Sequence, residues 1–167
     1  LFGLTLASQL VEKYRNILVI ASERMSSVID KDPSTAILFG DGAGACLVSA
    51  DKGKMRIIDS VLHSDGSYAG ELMLPLDGPI LMNGMSVIMQ ASRKVPAVIL
   101  EVLDKQRRTA AEIGLFVMHQ ANQNLILRIA KSLGESRVRT VLAVPYSDQD
   151  CLNALALSYL YGAPVRL

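Results

Sequence analysis

Phe116-Val117-Met118-His119-Gln120-Ala121-Asn122 places an imidazole where an apolar strand gives way to a helix. Gly114 to Met118 has the pattern of a short buried strand. From Asn122 the apolar spacing changes to Leu125, Ile126, Ile129, Ala130 and Leu133, which is one face of a helix. His119 is therefore expected at the carboxyl end of a strand, a junction where catalytic side chains are commonly displayed. Two readings stay open at this point: a structural histidine satisfied by a backbone carbonyl, or a proton-handling group of the kind imidazole supplies near neutral pH.

Working outward, Gly134 is a candidate helix C-cap and Val138 to Val144 a further strand. On the amino-terminal side, Thr109 with Glu112 forms a possible capping box for a short helical turn before Leu115. Ahead of it, Val87, Ile88, Ala91, Val95, Val98, Ile99, Val102 and Leu103 fall on one helical face after Asn83-Gly84, and Pro96 should kink that helix or start a second one. Leu72-Met73-Leu74-Pro75 reads as a short extended piece after the loop His63 to Ser67. Two apolar runs, Thr35–Phe39 and Ala45–Ser49, flank Gly40-Asp41-Gly42-Ala43-Gly44, and a third, Met55 to Leu62, comes after a turn. These are expected to be adjacent strands of one sheet. Ser26 to Ser34 is a surface loop punctuated by Asp32-Pro33. Leu6, Ala7, Leu10, Val11 and Tyr14 make a helix that feeds a buried strand, Ile17 to Ala21. Helices and strands in this order give a layered α/β class. No close internal repeat is present.

With 167 residues, half of them apolar, the chain can bury the core of one ordinary domain or of part of a larger one. The 17 basic and 16 acidic residues leave a formal charge of +1, so no broad field attracts nucleic acid or an anionic membrane. No apolar run is long enough for a bilayer span and none resembles a signal peptide, so a soluble, cytoplasmic protein is expected. The chain begins at Leu1, inside a helical pattern, so an upstream segment is expected to be missing.

The glycine cluster lacks both the dinucleotide fingerprint and the Lys-Ser/Thr of a phosphate loop, and the run after it, Ala45 to Ser49, is strand-like; close backbone packing is the favoured reading. Cys46 lies in an apolar strand as a small hydrophobe, and Cys151 lies near Asp148 and Asp150, whose charges would raise a thiol pKa. Neither is a convincing catalytic thiol, and their separation argues against a disulfide framework or a metal site. His63, beside Asp65, reads as a loop-fixing residue. Arg128, Lys131, Arg137 and Arg139 form either a solvated face or a docking patch for an acidic partner.

Several strings together resemble one family, β-ketoacyl-acyl carrier protein synthase III, a thiolase-fold condensing enzyme that starts fatty acid synthesis. Phe39-Gly40-Asp41-Gly42-Ala43-Gly44-Ala45 is similar to that family's FGDGAGA signature, and Leu62-His63-Ser64-Asp65-Gly66-Ser67 with Leu74-Pro75 resembles the segment after it. Met82-Asn83-Gly84 with Val87 is similar to the start of the substrate-tunnel helix, and His119-Gln120-Ala121-Asn122 matches the HQAN motif. The motifs run in the family's order from Leu1 to about Val144.

The resemblance implies a partial thiolase-like αβαβα fold, with residues 1–80 ending the amino-terminal half and 81–167 forming an incomplete carboxyl-terminal half. It implies an acyltransferase in which a cysteine thiolate takes an acyl group from coenzyme A. Malonyl-carrier protein then loses carbon dioxide and its carbanion attacks the thioester. His119 would donate to the developing enolate oxygen. Gln120, Ala121, Asn122, Gln123, Asn124 and Lys131 would contact the acyl carrier protein, and Gly84 and Met85 would line the tunnel. Acyl-coenzyme A is a substrate here, with no further cofactor and no metal, and a homodimer or pairing with an amino-terminal half is implied.

The departures are specific. Only Gly3-Leu4 remains of the family's nucleophile motif, which puts the cysteine upstream of Leu1. Tyr146-Ser147-Asp148-Gln149-Asp150-Cys151 stands where a GNTSAAS motif supplies a second donor, and a carboxylate at Asp148 would repel an enolate unless protonated. Pro33 stands where an adenine-stacking arginine is common, and Asn124 replaces a basic docking residue. The chain alone is therefore expected not to condense acyl groups. The alternatives are a non-catalytic remnant or partner-binding subunit of a split enzyme and, more remotely, a small hydrolase pairing His119 with Cys151.

Overall fold

The computed structural model describes residues 1–29, 36, 38–51, 53–120 and 122–134. The predicted strand at Val138–Val144, together with Pro33, Ala121, Arg137, Arg139, Tyr146, Asp148 and Cys151, lies outside them. Helix α1 (Phe2–Tyr14) leads through Arg15 into β1 (Asn16–Arg24), which pairs antiparallel with β2 (Asp41–Ser49) in unbroken register from Asn16↔Ser49 to Arg24↔Asp41. Helix α1 packs on this ribbon. A Cβ built at Gly3 would lie 3.1 Å from Val19 Cγ1, so the missing side chain lets the helix approach the strand. Arg15 has φ 58° and ψ −42°, a costly conformation for a non-glycine residue. Its guanidinium is paired with Asp51 at 2.6 Å, and its carbonyl accepts from Ala50 N–H at 2.8 Å.

The ribbon corrects three expectations. The glycine cluster is not a junction between strands: Asp41 to Gly44 are ladder residues of β2, with Gly42 opposite Glu23 and Gly44 opposite Ala21. Leu38 lies in a turn and Phe39 outside regular structure, so the apolar pattern ending there is not a described strand. The run Ile17–Ala21 is not continuously buried. Ile17 and Val19 are half-buried while Leu18 and Ile20 are exposed, because α1 covers one face of the ribbon only. The apolar run Met55–Leu62 also forms no strand among the described residues; with no ladder partner, its composition is insufficient.

A short 3₁₀ segment, Gly66–Glu71, leads into β3 (Leu72–Met73), which pairs with β4 (Leu81–Met82). Asn83 then caps α2 (Gly84–Lys105), its side chain accepting from Ser86 N–H at 3.2 Å. Pro96 neither ends α2 nor starts another helix: it is buried inside one continuous helix. The face predicted to be apolar, Val87 through Leu103, is half-buried or buried at every position. The Thr109 capping box holds, with Glu112 Oε2 accepting from the Thr109 backbone N–H at 2.7 Å and from its hydroxyl at 3.0 Å. Helix α3 (Gln123–Ser132) packs on α2 through Ile126, Ile129, Ala130 and Leu133, all buried. Gly134 comes next with φ 78°, the left-handed conformation that ends a helix cheaply only with glycine. None of the described helices is long and apolar enough to cross a membrane.

Candidate functional site

His119 sits between an extended segment and the amino terminus of α3, and its side chain is exposed. The expectation of a regular buried strand before it is corrected. In Gly114–Met118 only Phe116 forms a β-bridge, and Leu115 and Val117 are each more than a third exposed. A strand is completed by its neighbours, and no described ladder flanks this one.

Two local ties hold the histidine's backbone. Gln120 Nε2 donates to the Met118 carbonyl at 2.7 Å, reaching across His119. Asn122 Oδ1 accepts from Leu125 N–H at 3.1 Å, capping α3 and satisfying one of its orphan amides. The Ile126 N–H bonds to the Asn122 carbonyl at 3.1 Å, and the start of α3 carries the partial positive charge of a helix amino terminus. Gln123 and Asn124 are exposed in the first turn of α3, and Arg128 and Lys131 are exposed further along it. The polar face predicted for this helix thus points to solvent. Gly84 and Met85 open α2, with Gly84 half-buried and Met85 69% exposed. A Cβ at Gly84 would meet Met82 Cε at 3.8 Å, ordinary contact, so packing alone does not require glycine there. No described hydrogen bond joins Gly84 or Met85 to His119.

His63 is the loop-fixing residue expected, its Nε2 2.7 Å from Glu101 Oε2 on α2. Asp65 Oδ2 accepts from Lys94 Nζ at 2.5 Å, and that ammonium also stands 4.3 Å from the centroid of the Tyr68 ring. The Lys94 hydrogen bond, followed by those from Ser67, pulls the Asp65 pKa down to about 2. Asp59 is likewise lowered, first by Lys105, then by the Ser60 amide and Gln106. Sequence spacing gave no signal for these helix partners, because each lies 29 or more residues from its mate. Cys46 is buried in β2 as a free thiol, 7% exposed, in keeping with the small-hydrophobe reading. Among the described residues, no three His, Cys, Asp or Glu side chains converge as a metal site would require.

The model of the 3-oxoacyl-acyl carrier protein synthase III family matches residues 1–66, which span α1, the β1–β2 ribbon and the glycine-bearing strand. β-Ketoacyl-acyl carrier protein synthase III of Microcystis aeruginosa is 37% identical, over 80% of this chain and 46% of its own length. The Ehrlichia canis protein of the same name is 32% identical, over 96% of this chain and 54% of its own. The backbone agrees: 3-oxoacyl-acyl carrier protein synthase III from Aquifex aeolicus superimposes with a TM-score of 0.85 at 29% identity, covering 96% of this chain and 54% of that one. The chain is synthase III-like. The Thermus thermophilus synthase III, with a TM-score of 0.81 at 32% identity, covers the same 96% of this chain and 55% of its own. The fold is accordingly a partial thiolase-like α/β fold, and this synthase III-like chain spans about half the length of the relatives it matches.

Proposed function

We propose that these residues form part of a condensing enzyme that joins an acyl group to malonyl-acyl carrier protein in fatty acid biosynthesis. The single observation that carries this is His119-Gln120-Ala121-Asn122 at the start of α3, with the imidazole exposed and the backbone around it tied by Gln120 and Asn122. In the reaction, the bond between the malonyl α-carbon and its carboxylate breaks and carbon dioxide leaves. The electron pair passes to an enolate, which attacks an acyl thioester carbonyl and expels the thiolate. His119 donates a hydrogen bond to the enolate oxygen, and the amide end of α3 adds favourable potential for that anion.

Gln120, Ala121, Asn122, Gln123, Asn124 and Lys131 are the carrier-protein contacts in this reading, and Gly84 and Met85 open the channel for the acyl chain. Residues 1–80 and 81–167 are parts of two thiolase-like halves, coenzyme A enters as a thioester substrate with no other cofactor, and the assembly is a cytoplasmic dimer. In this reading the acyl-accepting thiol is supplied by another polypeptide segment: Cys46 is buried in β2, and Cys151 stands close in sequence to Asp148 and Asp150, whose charges disfavour a thiolate. This supports pairing with a segment that supplies the nucleophile.

Incubation of the purified chain with labelled acetyl-coenzyme A is expected to leave it unlabelled. Thiol-blockable label on it would overturn the nucleophile's outside origin. With a polypeptide supplying that thiol and malonyl-carrier protein, carbon dioxide release is expected and should be lost in His119→Ala; full release by that variant sinks the role given to His119.

A further inference from the structure

We infer that Met85 and Met89 form a site of reversible sulfoxidation, at which a hydroperoxide turns one flank of α2 from apolar to polar while the helix stays folded. All seven methionines lie among the described residues, and they divide by exposure. Met85 is 69% and Met89 56% exposed, ahead of Met55 and Met73, whereas Met25, Met82 and Met118 are half-buried. Residues four apart on a helix are neighbours, with Cβ atoms about 5–6 Å apart, so the two most open thioethers stand side by side in the first turns of α2.

The reaction asks only for an accessible sulfur. Its lone pair attacks one oxygen of the hydroperoxide, the O–O bond breaks, an S–O bond forms, and the departing oxygen takes the proton and leaves as water or an alcohol. Sulfur is oxidised by two electrons and the peroxide reduced by two; a dithiol reverses the step through methionine sulfoxide reductase, with water as product. Oxidation at this pair spares the fold. Neither side chain belongs to the packed face of α2, which Ser86, Val87, Ile88 and Ala91 begin, and the helix start is held by Asn83 Oδ1 accepting from Ser86 N–H. Met82 is the contrast: its Cε lies 3.8 Å from where a Cβ of Gly84 would stand, so it packs against the helix start, and a polar sulfoxide there would disturb that packing. Sulfoxides at Met85 and Met89 would oppose entry of an apolar acyl chain; that consequence rests on the reading of Met85 given above, and the modification itself does not.

Carbon-13-labelled methionine methyl groups of the whole chain follow the reaction residue by residue during treatment with hydrogen peroxide, the key signals being assigned from Met85→Leu and Met89→Leu. Met85 and Met89 are expected to convert to sulfoxide several-fold faster than Met25, Met82 and Met118. Far-ultraviolet helicity should be retained meanwhile, and the two methionine sulfoxide reductases with dithiothreitol should restore both signals. In urea, where burial no longer protects, the rates should converge. The site is overturned by equal rates across exposed and half-buried methionines in the folded chain, by a rate order that persists in urea, by loss of helicity as the pair converts, or by sulfoxides that the reductases leave in place. Failure of the proposed condensation would alter none of these readouts.

Discussion

Asn122 Oδ1 accepts the backbone N–H of Leu125 at 3.1 Å, so the residue three positions after His119 sets where α3 begins. The imidazole is thereby held at the mouth of a helix instead of inside it. Asn122→Ala should cost about 1 kcal/mol, the usual worth of an N-cap, whereas Asn122→Asp should retain most of it. Urea unfolding of the two variants checks this, and equal midpoints for both would refute the cap's contribution.

Acid should weaken the attachment of Asp65. Its carboxyl titrates at about 2 in the folded chain against an ordinary 3.8, so the stability it contributes is fully present above the ordinary value and is lost as pH falls towards 2. Asp65→Asn should flatten the decline of stability between those limits. Lys94→Gln should return the carboxyl titration, followed by carbon-13 shifts, towards the ordinary value.

Burial separates two apolar residues that hydropathy treats alike. Ile129 is 4% exposed between α3 and α2, so Ile129→Ala should cost about 2–5 kcal/mol through lost transfer energy and a residual cavity. Leu6 is 57% exposed on α1, and Leu6→Ala should change stability by no more than about 0.5 kcal/mol. Thermal unfolding of both variants makes the comparison.

Arg107 lies just past α2 with φ 52°, a conformation that a Cβ disfavours. Arg107→Gly should stabilise the chain by about 1 kcal/mol, because the relief of strain outweighs the added freedom of the unfolded chain. A lower melting temperature in this variant would show that the arginine side chain contributes more than its backbone costs.

Lys131 is exposed on α3, next to Arg128 on the same polar face. If an acidic carrier protein docks there, Lys131→Glu should weaken its binding roughly tenfold at low salt, mostly through slower association, and leave the melting temperature unchanged. Calorimetric titration with the carrier protein decides this, and unchanged affinity removes Lys131 from the docking face.

Where periodicity and capping chemistry are local, the sequence was readable. The stripe Val87 to Leu103 lies on the inner side of α2 as its spacing requires, and Leu125 to Leu133 does so on α3. The Thr109–Glu112 box and the terminating glycine at 134 arise from backbone chemistry within a single turn. Strands were less legible. Met55–Leu62 and Gly114–Met118 have apolar composition, but a ladder depends on a partner elsewhere in the chain, which composition does not encode.

The sequence by itself carried the resemblance to synthase III, through four ordered motifs, and determined the positions of α2 and α3, through helical spacing and caps that act over three or four residues. Only the tertiary structure decided that Asp41 to Gly44 belong inside β2, because their conformation is set by pairing with β1 across the ribbon. It likewise decided that His63 meets Glu101 and Asp65 meets Lys94: these are contacts between distant segments, and folding alone brings the side chains within reach.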